Sequence, residues 1–186
     1  MNKIPYWPKH RLLSSYVGNT PIIPIHSSND SMILGKAEFM NPSGSVKDRM
    51  ATYIMNNAEE TGLIKPGDTL VEATSGNTGI SFSMLAAERG YQIYIIMPRN
   101  MSEERKRMMK LYGARLIEVD DGDFDGAIAL RDEMCEKKGF FNLNQFHNKL
   151  NIEAHYHKTG PEIYNQYKEA RGENKCPGAF VAGTGT

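Results

Sequence analysis

Cysteine is scarce in this sequence: Cys135 and Cys176 are the only two, far apart and with no C-x-x-C pair. That pattern argues against a disulfide framework or a thiolate zinc site and makes a reducing cytoplasm the simplest compartment. Net charge is missing as well. Lys plus Arg and Asp plus Glu each total 22, so no global field draws the chain to a polyanion, and neither nucleic acid nor an anionic membrane is expected as a partner. The apolar runs are strand-sized, too short for a membrane span. The opening segment, MNKIPYWPKHRLLSSYVG, has two early prolines and no apolar core, so it does not read as a signal peptide. No repeat or low-complexity tract occurs. What remains is the 40% apolar content of an ordinary soluble, intracellular globular protein.

What is present is an alternation of strand and helix signals. Ile33–Phe39 is apolar-rich and stops at the turn signal Asn41-Pro42. Val46, Met50, Ile54 and Ala58 recur at helical spacing up to Thr61, and Gly62 follows as a stop. Strands are expected at 70–73, 93–97, 115–119, 140–143 and 179–182. Helices are expected at 78–89, from Ser102 to Gly113, at 127–138 and at 152–171, the last despite Gly160-Pro161. Repeated β-α-β units imply an α/β fold with a parallel, doubly wound sheet. Ligands of such sheets sit beyond the carboxyl ends of the strands, where loops lead into helices.

The chemically suggestive residues fall at those junctions. Asn41-Pro42-Ser43-Gly44-Ser45-Val46-Lys47-Asp48-Arg49 places Lys47 in the first turn of a helix, near unpaired amides and the positive dipole end. That setting, with partial burial, disfavours the ammonium. A neutral amine is what condensation with a carbonyl requires. By itself, a lysine at a helix start is usually just solvated. Glu72-Ala73-Thr74-Ser75-Gly76-Asn77-Thr78-Gly79 adds hydroxyls, a carboxamide and glycines at the next helix start, more polar groups than one N-cap needs. Amides and hydroxyls there suit a carboxylate. Ala182-Gly183-Thr184-Gly185-Thr186 would let backbone amides approach a phosphate, although it is neither a Walker loop nor a G-x-G-x-x-G fingerprint.

Together these segments resemble the cysteine synthase and cystathionine β-synthase family of pyridoxal-phosphate enzymes, of fold type II. The resemblance runs through Gly18-Asn19-Thr20-Pro21, residues 41–49 and 72–79, Met97-Pro98 with Met101-Ser102, Gln145-Phe146, and Thr159-Gly160-Pro161-Glu162-Ile163. It implies Lys47 as the Schiff-base lysine and Asn77 as the partner of the cofactor's ring hydroxyl. Thr74, Ser75, Gly76, Asn77, Thr78 and Gln145 would surround the substrate, mainly its α-carboxylate, and Gly183, Gly185 and Thr186 would begin the phosphate loop. It further implies two domains: residues 1–40 and 151–186 in a larger one, incomplete at the C-terminal end because the family's polypeptide continues past the phosphate loop, and residues 41–150 in a smaller one. The implied activity is β-replacement on an O-activated serine through an aminoacrylate, with sulfide as nucleophile, in a cytoplasmic homodimer. Cystathionine β-synthase-like and diaminopropionate-forming variants share these motifs. A different class of reading is a catalytically incompetent remnant acting as a binding scaffold.

No metal is expected. Asp121-x-Asp123-x-Asp125-Gly126, with Ile128 and Asp132, approaches an EF-hand loop, but a strand precedes it and a helix starts inside it, so it reads as an acidic strand-to-helix turn. His155 and His157 on a helix would point apart rather than share an ion. Met108, Met109 and the other methionines read as core.

Overall fold

The computed structural model describes residues 12–27, 32–74, 76–172 and 176–183. A hairpin comes first: β1 (Ile22–Ser27) pairs antiparallel with β2 (Met32–Lys36), with a register shift between Pro24 and His26. The parallel β-α unit then begins with helix α1 (Lys47–Glu60) and continues as β3 (Thr69–Ala73), α2 (Asn77–Arg89), β4 (Gln92–Pro98), α3 (Glu103–Leu111), β5 (Arg115–Val119), α4 (Phe124–Lys138) and β6 (Phe141–Asn142). The last helical stretch is α5 (Leu150–Ala154), a π turn at His155–Thr159, and α6 (Gly160–Arg171).

Residues β3 to β6 form one parallel sheet in the order β5-β4-β3-β6. The chain therefore steps outward from β3 to β5, then returns across the sheet to lay β6 on the other side of β3. Crossovers between parallel strands are right-handed, so that reversal of direction moves the connecting helix to the opposite face. Burial agrees. Leu70, Ile93, Ile95 and Met97 share a core with Met50, Ile54, Phe82, Leu85 and Met109 from α1, α2 and α3, whereas Val71, Ala73 and Ile96 pack with Ala127 and Met134 of α4. Helix α2 is buried from Thr78 to Ala86, with the Ser81 hydroxyl satisfied by Asp48 and the Ser83 hydroxyl by the Gly79 carbonyl. Each fully buried large apolar side chain contributes about 1.5–3 kcal/mol.

Several expectations change in detail. The strand expected at 33–39 ends at Lys36 and gives way to a 3-10 turn at Glu38–Met40, and it belongs to the hairpin rather than the parallel sheet. The strand expected at 140–143 is reduced to Phe141–Asn142. The strand expected at 179–182 is not formed: a strand needs a hydrogen-bonding neighbour, and this segment pairs with neither sheet, its Phe180 and Val181 lying exposed. Gly160-Pro161 is absorbed because the π turn ends there and proline occupies the first turn of α6, where its missing N–H costs nothing. The acidic turn is as expected: Asp123 caps α4, accepting the Gly126 N–H at 2.8 Å. Among the described residues no helix is long and apolar enough to cross a membrane. Cys135 and Cys176 are both unbridged.

The hairpin and α6 are tied to α1 by one buried polar network. Arg49, only 6% exposed, meets two carboxylates with paired contacts: Nε and Nη2 donate to Glu38 at 2.7 and 2.8 Å, and Nη1 and Nη2 donate to Glu162 at 2.8 Å each. Lys36 joins Glu162 and reaches Gln166 at 2.9 Å, while Thr20 Oγ1 donates to Glu38 at 2.7 Å. The Asn19 N–H closes on Glu162 at 2.9 Å. Gly18 is required here twice over: its φ is +86°, and a Cβ would stand 3.1 Å from Arg49 Nη1. Three segments of the resemblance, 18–21, 41–49 and 159–163, thus meet in a single structural cluster.

Burial alone would raise the pKa of Glu162, but hydrogen bonds from Arg49, Lys36 and Asn19 outweigh it and bring it to about 2, against an ordinary 4.5. A carboxylate whose folded pKa is depressed contributes stability above its unfolded pKa and loses it as the pH falls through the folded value. Glu162→Gln is therefore expected to destabilise the protein by about 3 kcal/mol near neutral pH. Urea unfolding at pH 7 and at pH 3 checks this, because the gap between variant and wild type should narrow in acid.

Candidate active site

Lys47 is the first residue of α1, and the residues on either side of it explain why that position is rigid. Its neighbour Asp48 is fully buried and accepts the Ser43 N–H at 2.7 Å, the Ser81 hydroxyl at 2.5 Å and the Ser43 hydroxyl. Ser81 lies one turn into α2, so Asp48 fastens the start of α1 to the start of α2. The next residue, Arg49, fastens the same turn to the hairpin and α6. Between these anchors Lys47 is half-buried, its amine forms no ion pair among the described residues, and desolvation lowers its pKa below the usual 10.5. The lowered amine expected from the sequence is present, with burial as its cause.

The loop after β3 is the second half of the site. The Thr74 N–H still reaches the Ile96 carbonyl at 3.0 Å, so the loop leaves the sheet from a fixed point. The Thr74 hydroxyl accepts the Gly76 N–H at 3.3 Å, and Thr74, Gly76 and Thr78 are buried while Asn77 is exposed. Ser75 lies outside the described residues. Gly79 is held to glycine by crowding: a Cβ there would stand 2.7 Å from Thr74 Cγ2 and 3.0 Å from Met109 Sδ. Helix α2 therefore packs directly under the loop.

Gln145, distant in sequence, is brought to this loop. It is 3% exposed, and its Nε2 donates to the Ala73 carbonyl at 3.0 Å. The second Nε2 hydrogen remains available, and Oε1 is buried with no hydrogen-bond partner among the described residues. A buried carboxamide half-satisfied in this way lacks a partner that a polar ligand would supply. Gln145 thus meets the end of β3, from which the loop departs, beside β6, where the sheet order reverses. Such a reversal is the favoured ligand position in open α/β sheets.

Gly183 is exposed, with open space around its α-carbon, and Gly185 and Thr186 lie outside the described residues. The structure does not bring Gly183 into contact with the Lys47 cluster. The structure gives two further residues a setting that their sequence positions do not show. His155, in the π turn, is half-buried, with Nδ1 2.9 Å from Thr159 Oγ1; burial first, then the charges of Lys47 and Arg49, lower its pKa. His157 is exposed, so the pair does diverge. Glu72 is fully buried beneath the Thr74 loop, and burial pushes its pKa up to about 7 despite the nearby amides and Arg131. A carboxylate in a strand that otherwise reads T-L-V-E-A is the signal that marks it.

Fold and site together define the class: a doubly wound α/β protein with an unpaired lysine and a hydroxyl- and glycine-rich loop at neighbouring helix starts, the loop lying at the reversal of the parallel sheet. The family model for pyridoxal-phosphate dependent enzymes matches residues 13–186. Among curated proteins, the chain is 47% identical to cysteine synthase B of Pseudomonas syringae pv. syringae over 85% of this chain and 96% of that one. It is 41% identical to a cysteine synthase of Staphylococcus aureus (strain Mu50 / ATCC 700699), over 94% of this chain and 56% of that one. Among solved structures, an O-ureido-L-serine synthase superposes with a TM-score of 0.82 at 37% identity, covering 87% of this chain and 52% of that one. The chain belongs to the cysteine synthase family of pyridoxal-phosphate dependent enzymes. It spans about half the length of the Staphylococcus relative and of the solved structure.

The crowding under Thr74 makes a direct test of the loop. Gly79→Ala is expected to push Thr74 and Met109 apart and to destabilise the protein by about 1–3 kcal/mol, the usual range for overpacking. Urea unfolding measures the loss, and a stability equal to wild type would show that the loop is not clamped by α2.

Proposed function

We propose that the protein catalyses a pyridoxal-phosphate dependent β-replacement on an O-activated serine, with cysteine formation from O-acetylserine and sulfide as its reaction. The observation that carries this reading is the half-buried, unpaired Lys47 at a helix start that Asp48 and Ser81 fasten to α2, the helix into which the 74–78 loop leads. The residues fit the cofactor. Lys47 offers an amine with no carboxylate to neutralise it, and the buried Oε1 of Gln145 waits for a donor. When bound, pyridoxal phosphate supplies the electron sink that stabilises negative charge at the substrate's α-carbon.

The chain's own residues then have separate duties. Lys47 Nζ would hold the cofactor and, as a neutral amine, would take the substrate's α-proton as general base. Partial desolvation makes it suitable, because a lowered pKa leaves more neutral amine near physiological pH. The Thr78 hydroxyl and the second hydrogen of Gln145 Nε2 bind the substrate carboxylate, with Thr74 and Gly76 shaping the loop through their own hydrogen bond and Ser75 completing it. Asn77 pairs with the cofactor ring hydroxyl, and Gly183, Gly185 and Thr186 begin the phosphate grip. Residues 41–150 act as the smaller domain, residues 1–40 and 151–186 as parts of the larger, and closure of the smaller one over bound carboxylate keeps water from the reacting carbon. The partners of this reading are a small amino acid, sulfide and a second copy of the chain, in the cytoplasm.

The similarity to an O-ureido-L-serine synthase supports a second nucleophile within the same reaction type. Borohydride reduction in the presence of pyridoxal phosphate, followed by peptide mapping, tests the anchor. A pyridoxyl group on the Lys47 peptide, absent in Lys47→Ala, is the expected result; a folded protein with no adduct there overturns the proposal. Product analysis with O-acetylserine and either sulfide or hydroxyurea then assigns the nucleophile.

A further inference from the structure

Glu72 is an expensive residue where it stands. It is wholly buried next to the end of β3, opposite Ile95 of β4, where an aliphatic side chain would serve the core without the desolvation cost of a carboxylate. What an aliphatic side chain would not do is accept hydrogen bonds. Glu72 Oε1 accepts the Ala73 N–H at 2.9 Å, and Oε2 accepts the Gln145 N–H at 3.0 Å. Its two oxygens thus reach the two chain segments that meet at the sheet's reversal. Gln145 returns the contact by donating Nε2 to the Ala73 carbonyl, so its backbone and its carboxamide are both docked on the end of β3.

Arg131 of α4 stands behind this arrangement. It is 3% exposed, and its Nη1 lies 3.7 Å from Glu72 Oε1 without a hydrogen bond of its own. Asp132 holds the guanidinium through Nε and Nη2 at 2.9 and 2.8 Å. Arg131 therefore supports the ionised state of Glu72 by charge. The other titratable group facing Glu72 is the half-buried Cys135 thiol on the same helix, whose pKa burial raises.

We propose that Glu72 is a positioning residue of the substrate site: its carboxylate, supported by Arg131, docks the Gln145 backbone on the end of β3 and so aims the Gln145 carboxamide at the substrate carboxylate. This rests on the function proposed above. Ionisation is what makes the docking work. A protonated Glu72 would turn one oxygen into a donor facing an N–H, and one of the two amides would lose its acceptor. The raised pKa, about 7, puts that change in the neutral range.

Amide hydrogen exchange on the cofactor-free protein tests the docking without relying on turnover. In Glu72→Gln, whose carboxamide accepts from only one of the two amides, exchange at Gln145 or Ala73 should quicken by about tenfold. Arg131→Met should do the same at pH 7 and recover in alkali, where Glu72 ionises unaided. Should Glu72→Gln not fold, the wild-type protein still decides the matter: protection of the Gln145 amide, corrected for intrinsic exchange, should rise from pH 6 to 8. With cofactor bound, the affinity for L-alanine, read from cofactor absorbance, should fall about tenfold in Glu72→Gln, and KM for O-acetylserine should rise while kcat stays within about twofold. Unchanged exchange at both amides, a flat wild-type profile, or unchanged L-alanine affinity overturns the proposal. A failure of Lys47 to take up cofactor would instead overturn the proposed function, and the exchange experiment separates the two.

Discussion

One guanidinium organises much of this molecule. Arg49 is held by Glu38 and Glu162 through paired hydrogen bonds, and those carboxylates carry with them the hairpin, the Gly18-Asn19-Thr20 turn and the start of α6. Bidentate geometry fixes orientation as well as distance, which a lysine at the same point would not do. Because Arg49 sits two residues from Lys47 on the same helical turn, the ionic network that joins segments remote in sequence also fixes the helix start that carries the Lys47 amine. Asp48 completes the constraint from the opposite side by binding Ser81 of α2. The unpaired lysine is thus surrounded by neighbours whose charges are fully engaged elsewhere.

The second organising feature is topological. The path of the chain from β3 to β5 and back to β6 leaves β3 and β6 paired side by side, with α2, which follows β3, and α4, which precedes β6, on opposite faces of the sheet. Thr74 follows one of these strands and Gln145 comes shortly after the other, and the buried Glu72 bonds to the Gln145 amide. Site chemistry and sheet order are therefore linked: the polar residues are assembled at the reversal, the position where ligands of open α/β sheets sit. Burial also explains the electrostatics. Desolvation dominates for both Lys47 and Glu72, moving the amine down and the carboxyl up, each toward its neutral form.

Much of this was legible from residues alone, and for specific reasons. The four-residue spacing of Met50, Ile54 and Ala58 states a buried helix face because apolar side chains at that spacing share one side. Lys47 at the helix start and the hydroxyl- and glycine-rich run after β3 were visible because capping and loop chemistry is local. The strand within 33–39 joins a hairpin because a strand's partner is not local: apolar content does not distinguish a hairpin edge from a parallel core. Residues 179–182 stay unpaired for the same reason, since strand-like side chains do not by themselves supply a pairing partner.

The sequence by itself determined the helices and the central parallel strands, the position of Lys47 at a helix start, the polar loop after β3, and the family to which these motifs belong. Tertiary structure alone decided which of the remaining polar residues matter. Arg49 and Glu162 are 113 residues apart, and Gln145 and Glu72 are 73 apart. Nothing in short-range spacing pairs them. Hydrogen bonds and desolvation act through space over a few ångströms, so the roles of a buried arginine and a buried glutamate become readable only once the fold has placed their partners.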